Sequence, residues 1–316
     1  MHWLAQAPAN IALIKYMGKK DASSNLPDNS SLSYTLNNLL STVRLELIAK
    51  DCDLWQPLPL SDSKNDFTLA KSAQERFIAH LQRLKAYFGY SGHFLIQSNN
   101  NFPHGSGLAS SASSFAALTR CAVLALSELS NKELPTTQDQ AQLSRLGSGS
   151  SCRSFYSPWA LWRENEVLPL ELPYTELKHQ VIVLSNKEKK VSSSEAHRRV
   201  RTSTLYNSRS KRAEERLNQL LLALNAMDWP SIYQLCWDDF QEMHQLFSSC
   251  ADPFSYITEE SVQLLDTLSR LWEREGDGPL VTMDAGPNIH LLYRLDQAEK
   301  AEQFQAEHLA GRYHVL

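Results

Sequence analysis

Residues 103–113 have the sequence PHGSGLASSAS, rich in glycine and serine, and they lie between two segments of regular pattern. Apolar and polar residues alternate over 94–98, which predicts a strand, and apolar residues recur at helical spacing over 115–129. Gly105 and Gly107 let backbone N–H groups approach an anion, and a helix start adds unpaired donors. We interpret the stretch as an anion-binding turn between a strand and a helix.

The common nucleotide-binding loops do not match this stretch. A P-loop needs a lysine after its last glycine, and none follows Gly107; a dinucleotide fingerprint needs a third glycine where Ser110 stands. The alternative is a flexible loop in which Ser110 or Ser111 caps an ordinary helix. This stretch alone leaves both interpretations open.

Length and composition indicate a globular protein. The chain has 316 residues, 42% hydrophobic and 21% charged, with a net charge of −4, which leaves room for two domains and gives no general attraction to nucleic acid or to an anionic membrane. Its five cysteines are odd in number and lack zinc-binding spacing, so reduced thiols are expected. The sequence shows no signal peptide and no apolar run of membrane-spanning length, which predicts a cytoplasmic protein.

The pattern changes near residue 185. Residues 1–185 are strand-rich and form the predicted N-terminal domain, and residues 186–316 are helix-rich and form the predicted C-terminal domain. Residues 187–216 carry ten lysines and arginines against four glutamates. We expect most of these charges to lie on a solvated helical face, although those nearest the helix start could meet an anion. The spacing of Ser192 and Glu195 predicts a capping box there.

A second glycine- and serine-rich segment, 147–153, ends in an arginine. Small residues beside a guanidinium suit a phosphate or a carboxylate, because arginine can grip either with two parallel hydrogen bonds. A plain loop with a solvated Arg153 is equally compatible with the sequence.

Six of the 11 glycines lie in polar segments, at positions Gly18, Gly105, Gly107, Gly147, Gly149 and Gly286. This concentration suggests several loops that converge on one anionic ligand. Lys15, Lys19 and Arg153 would supply counter-charges, and Asp284 is the candidate acid or base. The residues alone therefore predict a phosphate-handling enzyme.

Several segments in order resemble the GHMP kinase superfamily. Residues 103–112 match its Pro-x-x-x-Gly-Leu-x-Ser-Ser-Ala loop. Segments elsewhere resemble one branch, the diphosphomevalonate decarboxylases, and they are 10–19, 29–33, 147–154 and 283–288. The resemblance spans most of the chain and implies an α+β, two-domain GHMP kinase fold, with an N-terminal ribosomal protein S5 domain 2-like domain and a C-terminal ferredoxin-like α/β domain.

The resemblance implies an ATP-dependent carboxy-lyase that converts 5-diphosphomevalonate to isopentenyl diphosphate and releases ADP, phosphate and CO₂. ATP would first phosphorylate the tertiary 3-hydroxyl, since a phosphate leaves far more readily than a hydroxyl when the carboxylate is lost. ATP as co-substrate, Mg²⁺ as cofactor and a homodimer are implied in the same way.

Catalytic roles are also implied by the resemblance. Asp284 would orient the 3-hydroxyl and accept its proton. Arg153, supported by Asn10, would hold the substrate carboxylate. Lys15 would offset negative charge near the reacting oxygen.

Binding roles follow from the same resemblance. Besides Arg153, the substrate-binding residues would be those around its diphosphate: Tyr16, Lys19, Ser148, Ser150, Ser193 and His197. The ATP phosphates would be bound by the glycine loop, through Pro103, Gly105, Ser106, Gly107, Leu108, Ala109, Ser110 and Ser111. Mg²⁺ would bridge phosphate oxygens, with Ser110 or Ser111 as the candidate protein ligand.

The chain departs from the family pattern at three places. Methionine replaces the usual tryptophan at Met17, histidine replaces methionine at His197, and residues 104–106 replace Thr-Ala-Ala. Met17 and His197 lie by the proposed diphosphate end, so the 5-phosphorylation state of the substrate stays open.

Other functions remain as alternatives. A phosphomevalonate decarboxylase or a mevalonate 3-kinase would share the fold, although Lys15, Arg153 and Asp284 together favour decarboxylation. A homoserine- or galactose-type kinase is disfavoured by the Asp-Ala-Gly-Pro-Asn turn at 284–288. A non-enzymatic anion-binding module would leave Asp284 without a role.

Overall fold

A computed structural model describes residues 1–59, 69–102, 110–185 and 189–316. These parts form a mixed α/β structure with a six-stranded sheet, a four-stranded sheet and a two-stranded ribbon. The predicted ATP-binding residues from Pro103 to Ala109 lie outside the described residues.

The first sheet is arranged around one long strand, β4. Its strands are β1 (His2–Ile14), β4 (Ser31–Ile48), β5 (Leu54–Pro57), β6 (His93–Asn100), β7 (Trp159–Arg163) and β8 (Glu166–Leu170), and the short ribbon consists of β2 (Lys19–Asp21) and β3 (Leu26–Pro27). One edge of β4 pairs with β1, and its other edge pairs with β6 and β7 at opposite ends. All these pairings are antiparallel, whereas β5 adds to β6 in parallel.

Three helices accompany the first sheet: α1 (Lys71–Phe88), α2 (Ser110–Leu129) and α3 (Thr137–Arg145). Helix α1 buries Phe77, Leu81 and Leu84 in a core with α2. Thr136 and Asp139 form a capping box at the start of α3. A 3₁₀ helix, Gly149–Phe155, follows and carries Arg153.

Helix α2 runs through the core. By length and composition it could cross a membrane, contrary to the expectation that no apolar run is long enough, but 78% of its most apolar window is buried inside the fold. Such burial is typical of a core helix in a globular protein.

The second sheet has the order β10-β11-β9-β12 and is antiparallel throughout. Its strands are β9 (Lys178–Val183), β10 (Leu280–Met283), β11 (Ile289–Tyr293) and β12 (His314–Val315). Strands β10 and β11 pair on either side of the turn at 284–288. The accompanying helices are α4 (Ser193–Arg199), α5 (Tyr206–Asn225), α6 (Trp229–Ser249), α7 (Glu259–Glu275) and α8 (Ala298–Phe304), with 3₁₀ turns at Val200–Thr202 and Leu295–Gln297 and a π turn at Gln305–Leu309.

One hydrophobic core joins the two sheets. Ile11 and Leu13 of β1 and Trp159 of β7 lie in the same buried cluster as Phe240 of α6 and Leu291 of β11. The chain enters the second sheet at the start of β9, before residue 185. The division into domains 1–185 and 186–316 stays a prediction.

Two local expectations are corrected. Ser192 caps α4 by accepting the N–H of Glu195, but the Glu195 side chain bonds Arg198 and Arg199 instead of completing a capping box. The basic segment is not wholly solvated either, because Arg209 is 1% exposed and paired with carboxylates of α6.

Candidate active site

A lysine and an aspartate from the two sheets meet at the centre of the site. Lys15 directly follows β1, Asp284 directly follows β10, and Lys15 Nζ lies 2.8 Å from Asp284 Oδ1. The two strands are adjacent, since Thr282 Oγ1 donates to the Ala12 carbonyl at 3.4 Å. Lys15, a candidate counter-charge, and Asp284, the candidate acid or base, are thus in direct contact.

Side chains also hold the backbone of Lys15. Its N–H donates to Asp239 Oδ2 at 2.7 Å, and its carbonyl accepts from Asn29 Nδ2 at 3.0 Å. β1 ends at Ile14, so these side chains satisfy groups that a strand partner would otherwise satisfy. Lys15 is therefore fixed at both its backbone and its ammonium group.

The charges of the pair are set by burial and by mutual attraction. Burial lowers the pKa of Lys15, and attraction to Asp284 and Asp239 opposes that effect. Burial alone would raise the pKa of Asp284, but attraction to Lys15, His290 and Arg153 outweighs it and holds that pKa below the ordinary value. Asp284 is thus a carboxylate at neutral pH, and its side chain is 28% exposed and within reach of a ligand.

Arg153 is buried and oriented by polar neighbours. Its Nε donates to Asn10 Oδ1 at 3.2 Å and its Nη1 to Ser31 Oγ at 2.8 Å. Asn10 is itself fixed, since its Nδ2 donates to Ser154 Oγ at 2.8 Å. Arg153 Nη2 has no hydrogen-bond partner among the described residues, so this nitrogen can serve an anion.

A second group of predicted residues surrounds the Tyr16 ring. Its centroid lies 4.6 Å from that of Trp162 and 4.4 Å from that of His197. Lys19 Nζ donates to Asn25 Oδ1 at 2.6 Å, and burial lowers the pKa of Lys19. Trp162 also lies under the Arg153 guanidinium, 5.9 Å from its ring centroid, so the two groups adjoin.

The segment from Ser148 to Ser150 packs against this ring. A Cβ on Gly149 would lie 2.7 Å from Tyr16 Cε1, so only glycine permits the approach. The carbonyl of Ser150 accepts from Asn10 Nδ2 at 3.2 Å. Gly149, one of the glycines concentrated in polar segments, thus permits a close contact between its loop and the Tyr16 side chain.

His197 and Ser193 both lie on α4. His197 Nδ1 accepts the Gly18 N–H at 3.0 Å and the residue is 9% exposed. Ser193 is the first residue of the helix, one turn before His197, and is exposed.

The predicted residues therefore fall into three places. Asn10, Lys15, Arg153 and Asp284 form the centre, whereas the residues of the second group are Tyr16, Lys19, Ser148, Ser150 and His197, with Ser193 nearby on α4. Ser110 and Ser111 open α2, and within the described parts of the chain neither hydroxyl makes a hydrogen bond.

Sequence reasoning missed a buried ion network behind Lys15. Arg209 Nη1 donates to Asp239 Oδ1 at 2.9 Å and to Glu242 Oε2 at 3.0 Å, and Arg216 Nη1 contacts the same two carboxylates at 2.8 Å. Asp239 and Glu242 are three residues apart on α6, a spacing that places both on one helical face. That spacing was the available signal, but nothing in the sequence linked it to Lys15.

Within the described ranges, no group of three or more His, Cys, Asp or Glu side chains could hold a metal ion. A hollow of about 800 Å³ lies elsewhere, lined by residues that include Tyr174, Trp229 and Arg294 and none of the predicted site residues.

Two family models match most of the chain. The model of the diphosphomevalonate decarboxylase-like N-terminal domain matches residues 7–168, and that of the mevalonate 5-diphosphate decarboxylase C-terminal domain matches residues 180–311. The chain belongs to the diphosphomevalonate decarboxylase family. The two matched domains confirm the family that the sequence motifs indicated.

Relatives and solved structures of this family align over nearly the whole chain. Diphosphomevalonate decarboxylase of Debaryomyces hansenii is 32% identical, over 94% of this chain and 80% of the relative. A crystal structure of a mevalonate diphosphate decarboxylase from Legionella pneumophila is 62% identical, with a TM-score of 0.94 and full coverage of both chains. A structure described as MDDEF in complex with MVAPP, AMPPCP and magnesium is 28% identical, with a TM-score of 0.88 and coverage of 100% and 96%. The predicted two-domain GHMP kinase fold is thereby confirmed.

Proposed function

We propose that this chain catalyses the ATP-dependent decarboxylation of 5-diphosphomevalonate to isopentenyl diphosphate, with release of ADP, phosphate and CO₂. The observation that carries the proposal is the contact of 2.8 Å between Lys15 Nζ and Asp284 Oδ1. This contact joins an ionised carboxylate to a buried ammonium group. Beside it lies Arg153, whose Nη2 has no hydrogen-bond partner in the described parts of the chain. Membership of the family supplies the reaction class.

Asp284 and Lys15 would act on the 3-hydroxyl. The carboxylate accepts a hydrogen bond from that hydroxyl, orients its oxygen toward the transferred phosphorus and takes the proton as the new bond forms. The ammonium group of Lys15 offsets the negative charge around the reacting oxygen. Their mutual contact fixes both groups before substrate arrives, which lowers the cost of organising the site.

Arg153 would hold the substrate carboxylate through its guanidinium, which Asn10 and Ser31 orient. Once ATP has converted the 3-hydroxyl into a phosphate ester, CO₂ is lost as the phosphate departs and the alkene forms. The substrate diphosphate would lie against the second group, Tyr16, Lys19, Ser148 and Ser150, with Ser193 and His197 on α4.

ATP and Mg²⁺ would bind at the start of α2. The hydroxyls of Ser110 and Ser111 are free of other hydrogen bonds within the described residues and lie at a helix N-terminus, which suits phosphate oxygens and a hard cation. Bound Mg²⁺ would neutralise phosphate charge. Because Mg²⁺ relies largely on phosphate oxygens and water, a carboxylate cluster is not needed.

The proposal extends to the state of the protein in the cell. We expect a cytoplasmic protein, and a homodimer as the family resemblance implies. The net charge of −4 and the burial of α2 support the expectation that it has no nucleic-acid or membrane partner. Sedimentation equilibrium at several protein concentrations tests the dimer, and a single species at monomer mass would contradict it.

One incubation separates this function from its relatives. The protein is mixed with ATP, Mg²⁺ and mevalonate carrying zero, one or two 5-phosphates, and ADP and CO₂ are measured separately. CO₂ in proportion to ADP from the diphosphate is the expected result. ADP without CO₂ would indicate a 3-kinase, CO₂ only from the monophosphate would change the substrate, and neither product would indicate a binding module.

A further inference from the structure

The second group contains an imidazole whose two nitrogens differ in their surroundings. His197 Nδ1 accepts the backbone N–H of Gly18 at 3.0 Å. His197 Nε2 makes no hydrogen bond with any residue in 1–59, 69–102, 110–185 or 189–316, yet it is not among the buried nitrogens that lack a partner. Nε2 is therefore the ring nitrogen that keeps access to solvent.

The contact with Gly18 determines where the ring proton lies. A backbone N–H can only donate, so Nδ1 must be the unprotonated nitrogen. A neutral ring then carries its proton on Nε2 and offers a donor from that atom. The tautomer is fixed by the protein before any ligand binds.

The ring stays neutral at working pH. Burial and, secondarily, repulsion from Lys19 lower the pKa of His197 to about 3. Protonation would also place a second N–H against that of Gly18, which opposes the charged form further. His197 is thus an uncharged donor and not a pH switch.

The His197 ring adjoins residues of the proposed diphosphate pocket. It lies 4.4 Å from Tyr16, centroid to centroid, and its Nδ1 accepts the N–H of Gly18, which directly precedes Lys19 in the chain. Ser193 is one turn earlier on the same helix. An anion between Tyr16, Lys19 and the start of α4 would therefore meet an N–H from His197.

We propose that His197 is a specificity-determining residue whose Nε2–H donates a hydrogen bond to the 5-diphosphate of the substrate. The inference rests on the proposed function. A substrate with one phosphate would shield this donor from solvent without pairing it, and a donor that loses water without gaining a partner disfavours binding. His197 would thus help the chain to prefer two phosphates over one.

Two substitutions separate the ring nitrogens. In His197→Gln the side-chain amide can reach the Nε2 position but not that of Nδ1, and in His197→Asn the reverse holds. We expect His197→Gln to keep KM for 5-diphosphomevalonate within about threefold, and His197→Asn to raise it about 10- to 100-fold, as for loss of a bond to a charged group. KM for ATP should not change in either variant.

The opposite pattern would show that His197 only holds Gly18, and equal losses would show that only the ring shape matters; both overturn the proposal. Arg198→Gln, on the same helix with its side chain 73% exposed, is the matched control and should bind like wild type. Thermal unfolding of all variants checks that they fold.

Isothermal titration calorimetry without ATP separates this inference from the proposed function, because no turnover occurs. It measures the affinity of 5-diphosphomevalonate and of 5-phosphomevalonate for wild type, His197→Gln and His197→Asn. Wild type and His197→Gln should prefer the diphosphate, and His197→Asn should lose that preference. If wild type binds with this preference but releases no CO₂, the function fails and the inference stands; if it releases CO₂ and His197→Asn keeps the preference, the inference fails alone.

Discussion

Lys15 and Asp284 are 269 positions apart in the chain, and their charged atoms are 2.8 Å apart. A buried charge that loses its partner costs far more than the pair itself contributes. Substitution of either residue therefore deletes one charged group and also leaves the other charged group without its partner. Each single substitution therefore removes the ion pair as a whole, and the losses of activity caused by the two substitutions should not be additive.

Replacement of Arg153 by methionine tests the proposed grip on the substrate carboxylate. Arg153→Met should lower kcat/KM by about 100-fold or more, as removal of a preorganised charged donor does. Lys190→Met, in an exposed lysine of the same basic half, should stay within about twofold. The rate of CO₂ release measures both variants. Equal losses of activity would contradict the proposed role of Arg153 in binding the substrate carboxylate.

Gly18 lies where the backbone needs a positive φ and where neighbouring atoms leave no room for a side chain. Its φ is +98°, and a Cβ there would collide with the Tyr206 hydroxyl. Gly89 also has a positive φ, +68°, but a Cβ there would meet nothing within 4 Å. Substitution of Gly89 thus tests backbone strain alone, whereas substitution of Gly18 tests backbone strain together with a steric clash beside the site.

Gly18→Ala should therefore lose stability and activity, whereas Gly89→Ala should lose only stability, by about 1–2 kcal/mol. Urea unfolding and kcat/KM measured on both variants decide the point. Full activity in Gly18→Ala would mean that the segment tolerates a shift.

At the scale of elements, α5 and α6 meet through buried charges as well as apolar side chains. Asp239 is fully buried, accepts from Arg209 through both oxygens and also holds the Lys15 N–H. Burial alone would raise the pKa of Asp239, but attraction to Arg209 and Arg216 holds it below the ordinary value of 3.8. The network thus connects a helix pair to the end of β1.

Asp239→Asn keeps the shape and removes the charge. We expect it to lower the free energy of unfolding at pH 7 by about 3 kcal/mol, the cost of leaving a buried guanidinium short of its partner. Asp238→Asn, on the exposed neighbour, should change it by less than about 0.5 kcal/mol. Urea unfolding measures both.

The same variant has a defined pH dependence. Because the folded-state pKa of Asp239 lies below the ordinary 3.8, its ionised form stabilises the protein above that pH, and the effect is lost as pH falls through the folded-state pKa. The difference between wild type and Asp239→Asn should be constant near neutrality and shrink below about pH 3.8. A difference that grows toward low pH would contradict the assignment.

Most elements could be predicted from local pattern, and their partners could not. Alternation over 94–98 predicted β6 and helical spacing over 115–129 predicted α2, since each period is encoded within the element itself. The environment of Arg209 was missed because its partners lie on another helix, 30 and 33 residues away. A charge run indicates a solvated face unless a second element supplies carboxylates.

The site shows the same division between local and distant information. The motifs around Lys15, Arg153 and Asp284 could be recognised singly, and the resemblance supplied their roles. Spacing could not bring Asp239 to the backbone of Lys15 or the imidazole of His197 to Gly18, because those contacts join distant segments. The contacts that no motif predicts are those that hold the site residues in place.

At the scale of the whole molecule, the two sheets share one core. Ile11, Leu13 and Trp159 from the first sheet pack with Phe240 and Leu291 from the second half. Separating the halves would expose this surface on both. The chain should accordingly unfold as one unit, although chains of two domains often do not.

Urea unfolding followed by far-UV circular dichroism and by tryptophan fluorescence tests this expectation. Both signals should give one transition with the same midpoint. Two transitions, or midpoints that differ beyond experimental error, would show that the halves are stable independently.

The segment between β1 and β4 has backbone amides that depend on the opposite half of the molecule. The N–H groups of Lys15, Gly18 and Ser30 donate to Asp239, His197 and Glu214, all on helices α4 to α6. By contrast, the amides of Ser23 and Ser24 donate to Asp21 within their own exposed turn.

In deuterated water, the first three amides should exchange as slowly as strand amides, although none lies in a strand, and the turn amides should exchange by local opening. Isotope exchange read by NMR would check this, and uniform fast exchange across the segment would contradict it. Deuterium uptake at positions 15, 18 and 30 would then report how often the helices release the segment that carries Lys15 and Lys19.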